Sequence, residues 1–197
     1  MRPLLFTWPY LLIFWAAYVW SFFPEMKIVR GATKPATRPD SPDAGSLKVI
    51  LFGMGLAIFA AFPMAWIPAL QFPASWQVFG FGVGVVTLIL GSLLRRHCFR
   101  MLGASFTGDV RARPGQTIVQ SGAYAWVRHP SYSAGTLMNL GLGLALGSWG
   151  STALIVVTTL AVYSYRIAVE ERALLAAVGE PYRQFMQTRA RLIPFIY

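Results

Sequence analysis

The sequence predicts an all-α protein, a polytopic bundle of about five membrane-spanning helices. Three observations predict it. Of 197 residues, 56% are hydrophobic and only 12% charged, far from the composition of an ordinary soluble domain. Five stretches, 3–23, 49–70, 76–94, 133–149 and 151–169, are apolar and nearly free of charge. The basic residues gather in the connections on one side of that layout. A helix needs about 20 residues to cross a hydrocarbon core of about 30 Å. Helix is the spanning form to expect, because an open sheet edge cannot face lipid.

The segments follow in order. The first, 3–23, is too long for a signal-peptide core, starts with only Arg2 and ends without a small-residue cleavage pattern, so it reads as a retained helix. The stretch 24–46 contains "GATKPATRPDSPDAG", the composition of an irregular loop. Pro63 and Pro68 should kink or end the second helix, and "QFPAS" makes a short turn. Gly80, Gly82 and Gly84 in the third helix and Gly141, Gly143 and Gly147 in the fourth read as close helix packing through small residues. A cavity lined by bare backbone is the other reading. "SWGS" joins the fourth and fifth segments and allows only a tight hairpin. The chain divides into three N-terminal helices, 1–94, and a region 95–197 with two more and a C-terminal tail. That tail, "GEPYRQFMQTRARLIPFIY", looks amphipathic and suited to cover the mouth of the hairpin.

The net charge of +10 is not a nucleic-acid signal. Five Lys/Arg fall in 24–48, six in 95–130 and five in 166–197, with only Arg2 elsewhere. The positive-inside rule makes that side cytoplasmic. Cys98 is the only cysteine, so no internal disulfide forms, and two histidines with one cysteine leave little from which to build a metal site.

Chemistry concentrates at the hairpin's basic end. One arm carries "WVRHPSY", 126–132, and the other Arg166, Glu170 and Glu171. These groups are about 40 residues apart yet should meet at one membrane surface. Polar groups at that depth are costly and point to function. Pro130 fits the first turn of a helix, whose free N–H groups would attract an anion. Tyr124, Trp126 and Tyr132 offer faces for a ring or a sulfonium cation; an interfacial aromatic belt is the plainer reading. Arg166 and Glu170, four apart, share a helix face, and a structural ion pair is the plainer reading there. Glu171 is expected to point elsewhere, into solvent, and His97 to be an interfacial residue.

The segment "QTIVQSGAYAWVRHPSYSAG" resembles the signature of isoprenylcysteine carboxyl methyltransferases and their phospholipid-methyltransferase relatives. The stretch "RIAVEERALLAAVGEPYRQFMQTRARLIPF" resembles the same family's Glu-Glu motif and Gly-Glu-x-Tyr tail. The likeness covers about residues 95–197; the first half matches only in hydropathy. The resemblance implies an integral membrane enzyme that binds S-adenosylmethionine near the cytoplasmic surface without a Rossmann domain. It implies that Gln116, Thr117, Ile118, Val119, Tyr124, His129, Pro130, Ser131 and Tyr132 line the cofactor pocket. Glu170 would hold the cofactor and Arg166 face the methyl acceptor. Arg111 falls where the family has a polar cofactor contact, but the loop before Gln116 is shorter here.

Methyl transfer to a carboxylate needs no general base, since that acceptor is ionised near neutral pH. Alignment and exclusion of water are then the protein's task. An arginine can grip such an acceptor by charge-assisted hydrogen bonds. The expected acceptor is lipophilic, enters from the bilayer and is a carboxylate such as isoprenylcysteine. A phospholipid amine or a small apolar thiol or phenol is the alternative, and each needs a base. Two other classes stay open: a sterol-reductase-like enzyme using NADPH, and a non-catalytic membrane scaffold. No metal and no nucleic acid are expected. Compact size and short loops suggest a prokaryotic plasma membrane, with the active site facing the cytoplasm.

Overall fold

The computed structural model describes residues 2–32, 43, 45–103 and 118–194. Among them are six α-helices: α1 Tyr10–Ala32, α2 Ser46–Met64, α3 Ala74–Leu102, α4 Pro130–Ala145, α5 Trp149–Val178 and α6 Glu180–Thr188. The first five take up the five apolar stretches, with shifted ends. α1 starts at Tyr10, after a 3-10 turn over Leu4–Phe6, and runs on to Ala32 into the expected loop. α3 continues past 94 through "RRHCFR", and α5 continues past 169 to Val178. Loss of hydropathy marks where a chain leaves lipid, not where its backbone stops hydrogen bonding, so helices outlast their apolar windows. The expected division at 94/95 lies inside α3, which runs unbroken across it.

Among the described residues three helices, α2, α3 and α5, are long and apolar enough to cross a membrane by themselves. α4 has 16 residues, or about 24 Å at 1.5 Å per residue, short of a full crossing. Its residues are mostly buried between neighbouring helices. The expectation of about five spans therefore meets five long helices of which three qualify on their own.

Packing is closest between α3 and α4, and glycine makes it possible. A Cβ on Gly84 would stand 2.3 Å from Ala145 N, and one on Gly141 would stand 2.3 Å from Leu88 N. Backbone meets backbone there, so no side chain fits. Gly80 and Gly143 are similarly pressed, against Phe72 and Thr152. Gly82 faces open space, and Gly147 belongs to the α4–α5 turn, at φ +68. Around this seam Leu88, Met138, Leu142, Leu146 and Ile155 are almost fully buried.

Polar side chains inside the bundle bond across helices. Ser92 donates to Ser21 O at 3.0 Å and Ser151 to Ala61 O at 2.8 Å. The outside is inverted relative to a soluble protein. Phe52, Leu56 and Phe59 on one face of α2 are 77%, 70% and 77% exposed. Val86 and Leu90 on α3 and Val157 on α5 are also exposed. Such a surface belongs against lipid: this is an integral membrane protein.

The hairpin is as tight as "SWGS" requires. α4 ends at Ala145 and α5 begins at Trp149, with Ser148 capping α5 through Ser151 N at 3.2 Å. Gln77 on α3 donates to Phe72 O at 3.0 Å beside the turn. The opposite end of the bundle gathers the C-terminus of α3, the N-terminus of α4 and the C-terminal part of α5.

Candidate functional site

The site begins with the turn that opens α4. Pro130 occupies the first helical turn, as its missing N–H favours. The N–H groups of Tyr132 and Ser133 are not left for a ligand, however: both bond to His129 O, at 3.0 and 3.3 Å. This first turn is fixed from behind by Arg95 of α3. Its Nη1 donates to Ser131 O at 2.5 Å, while Nε and Nη2 hold the Glu25 carboxylate of α1 at 2.5 and 2.9 Å.

Tyr132, one turn into α4, meets α5. Its hydroxyl donates to Glu170 Oε2 at 2.9 Å and accepts from Arg166 Nε at 3.3 Å. Arg166 and Glu170 are thus joined through a phenol. Tyr132 also packs on Tyr163 of α5, with ring centroids 5.0 Å apart. Arg166 is buried, and Glu170 is half-buried.

The other nitrogen of Arg166 reaches the N-terminal half. Its Nη1 donates to Ser46 Oγ at 2.5 Å and to the carboxylate of Asp43. Asp43 accepts in addition from Ser46 Oγ at 3.0 Å and from the N–H of Leu47 at 3.1 Å. It is buried just before α2. The segment "PDAGS" gave no signal for this, because the partner lies 123 residues away.

Glu171 overturns the expectation of a solvated side chain. It is 4% exposed. Its Oε1 lies 3.0 Å from Arg128 Nε and 3.2 Å from His129 Nε2, and Oε2 accepts from Arg191 at 3.0 Å. One step along a helix turns a side chain by about 100°, so Glu171 does leave the face of Glu170. The C-terminal tail and the start of α4 occupy the space it turns into. Arg128 Nη1 also donates to Met186 O at 2.6 Å and Arg189 O at 2.8 Å. The backbones of Arg128 and His129 donate to Ala190 O and Arg191 O, at 2.8 and 3.1 Å. Ser133 Oγ reaches Leu192 O at 2.5 Å. The tail therefore lies along the mouth of the hairpin, after α6 has buried Tyr182 and Phe185. Burial, with the charges of Glu171 and Glu170 nearby, pushes the Tyr182 phenol above its ordinary range.

The remaining candidates are dispersed. Gln116, Thr117 and Arg111 lie outside the described residues. Ile118 and Val119 are half-buried in irregular chain. Tyr124 is buried in a 3-10 turn over Gly122–Ala125, where burial raises its pKa. His97 is exposed on α3. The structure brings together Tyr132, Arg166 and Glu170 of the expected set, and His129 joins Glu171 instead.

Fold and site define a helical membrane protein whose polar centre is an arginine–tyrosine–glutamate relay at one end of an α-hairpin. Residues 83–176 match the family model described as isoprenylcysteine carboxyl methyltransferase. The protein-S-isoprenylcysteine O-methyltransferase of Schizosaccharomyces pombe is 33% identical over 136 residues, 66% of this chain and 58% of that one. Its namesake in Homo sapiens is 24% identical over 92% of this chain and 66% of its own length. The chain thus spans 58% of the fission yeast relative's length, and 61% of that of a relative in Arabidopsis thaliana. The solved eukaryotic intramembrane Ras methyltransferase shares the fold, with a TM-score of 0.64, 20% identity and coverage of 94% of this chain and 85% of that one. The resemblance carried by the two motifs is borne out: residues 83–176 are similar to the isoprenylcysteine carboxyl methyltransferase family, and the fission yeast enzyme matches over a wider stretch.

Proposed function

We propose that this protein is an integral membrane methyltransferase that uses S-adenosylmethionine and methylates a lipophilic carboxylate such as isoprenylcysteine. The observation that carries this reading is the Arg166–Tyr132–Glu170 relay. It sets one cationic and one anionic group side by side at the end of the hairpin. The donor set fits the cofactor: Glu170 is an anion with access to solvent, suited to the ammonium of a methionine moiety. Bound there, S-adenosylmethionine would supply a methyl group on a sulfonium. Tyr124, Pro130, Ser131 and Tyr132, with 116–119, would line its pocket.

Arg166 would orient the acceptor carboxylate by charge-assisted hydrogen bonds. Burial around it would exclude water and strengthen those bonds. His129 contributes from behind: its ring faces Glu171, so it steadies the turn that precedes Tyr132. The catalytic region would comprise 95–197, with the N-terminal helices as its lipid-embedded support. The acceptor's tail would enter from the bilayer. The clustering of basic residues at this end supports a site on the cytoplasmic side of a prokaryotic plasma membrane.

Calorimetric titration of the detergent-purified protein with S-adenosylhomocysteine, beside NADPH, tests the reading. Micromolar binding of the first alone is expected. Binding of NADPH alone would move the protein to the reductases, and binding of neither by folded protein would make it a scaffold.

A further inference from the structure

We infer that Asp43 is a specificity-determining residue that occupies the acceptor-binding face of Arg166 and is displaced by the acceptor carboxylate. The inference rests on the function proposed above and adds a residue from the N-terminal half, outside the matched region 83–176. Arg166 is 4% and Asp43 8% exposed. Within this buried pocket the guanidinium donates to Tyr132, Ser46 and Asp43. The Asp43 carboxylate is the same chemical group that the acceptor would present. A second carboxylate cannot take that place while Asp43 holds it.

The exchange is specific. An uncharged ester, amide or phenol has no charge with which to compete for the guanidinium. An ionised carboxylate can restore the ion pair that Asp43 gives up. On leaving, Asp43 also gives up local bonds at the start of α2, among them those from Ser46 Oγ and Leu47 N. Those bonds also draw it back. Methyl transfer from a sulfonium donor to a carboxylate oxygen breaks a C–S bond, leaves the electron pair on sulfur and moves no proton. The product ester is uncharged, so Asp43 retakes Arg166 and the product loses its hold. One residue thereby selects for a charged acceptor and against a retained product.

The test compares the wild type with Asp43→Asn, whose single amide oxygen can keep the bond from Leu47 N–H while its NH2 faces Ser46 Oγ as a donor. Probes are S-adenosylhomocysteine, N-acetyl-S-farnesylcysteine and the methyl ester of the latter. In protein saturated with the first, Asp43→Asn should bind the carboxylate about 10-fold more tightly, narrow the carboxylate's KM alike and leave ester affinity unchanged. Ser46→Ala, which loosens the same contact but keeps the charge, should shift the carboxylate in the same direction by less. Unchanged or weaker carboxylate binding by both variants, with S-adenosylhomocysteine still bound, would overturn the inference alone. Failure of the folded wild type to bind S-adenosylhomocysteine would overturn the function beneath it, and the inference with it.

Discussion

Arg128 and Glu171 meet at 3.0 Å, from opposite arms of the hairpin, with side chains only 9% and 6% exposed. Each is also a junction. Arg128 holds two carbonyls of the C-terminal segment, and Glu171 holds His129 and Arg191. The pair locks α4, α5 and the tail into one unit, and it explains why an arginine and a histidine precede Pro130.

Removing the carboxylate should therefore loosen the tail. Glu171→Gln leaves Arg128 and His129 facing a neutral amide in a buried place, which costs about 3 kcal/mol. The expected outcome is a lower unfolding midpoint in detergent and faster proteolysis between α6 and Leu192. An unchanged midpoint with an intact tail would show that the backbone bonds at Ala190 and Arg191 suffice.

Glu170 and Arg166 should separate kinetically although Tyr132 joins them. Glu170→Gln removes the charge proposed to face the cofactor's ammonium, and cofactor affinity should fall about 30-fold, the equivalent of about 2 kcal/mol. Arg166→Ala should raise the acceptor's KM more than the cofactor's. Because that change also takes the arginine away from the Asp43 carboxylate, the measurement should be repeated with Asp43→Asn added. Equal effects on both KM values in both backgrounds would mark the arginine as structural support.

The pair Glu25 and Arg95 joins α1 to the first turn of α4. Glu25→Gln should weaken cofactor binding several-fold, since Ser131 and Tyr132 share the turn that Arg95 grips. Exchanging the two, Glu25→Arg with Arg95→Glu, should fail to restore it, because a glutamate cannot donate to Ser131 O. Full restoration would show that only the ion pair matters.

Glycines in the α3–α4 seam should differ sharply from those outside it. Gly141→Ala forces a Cβ against the Leu88 backbone, and overpacking of this kind costs about 1–3 kcal/mol. Gly82→Ala meets nothing within 4 Å and should be neutral or stabilising by up to about 1 kcal/mol through helix propensity. Thermal unfolding of the two variants side by side checks the contrast.

The helical membrane bundle, the tight hairpin and the meeting of Tyr132 with Arg166 and Glu170 were legible in the sequence, because each follows from local period and span length. Close approach at Gly84 and Gly141 was legible too, from their spacing. Asp43 was not. Nothing in a proline-rich connection marks one aspartate as the partner of an arginine on the fourth α-helix after it. Glu171 was misread because helical phase says only that it leaves the face of Glu170. What fills the space on its new face is decided by the tail, whose path no periodicity records.

The tail's seat along Arg128 and His129 also sets an order of manufacture. Both arms of the hairpin are complete in sequence at Val178, and the partners of Arg128 at Met186, Arg189 and Ala190 come only after it. A nascent chain halted there would be inserted, largely helical and open at its mouth. Closure of the mouth would arrive last, with the few residues up to Leu192.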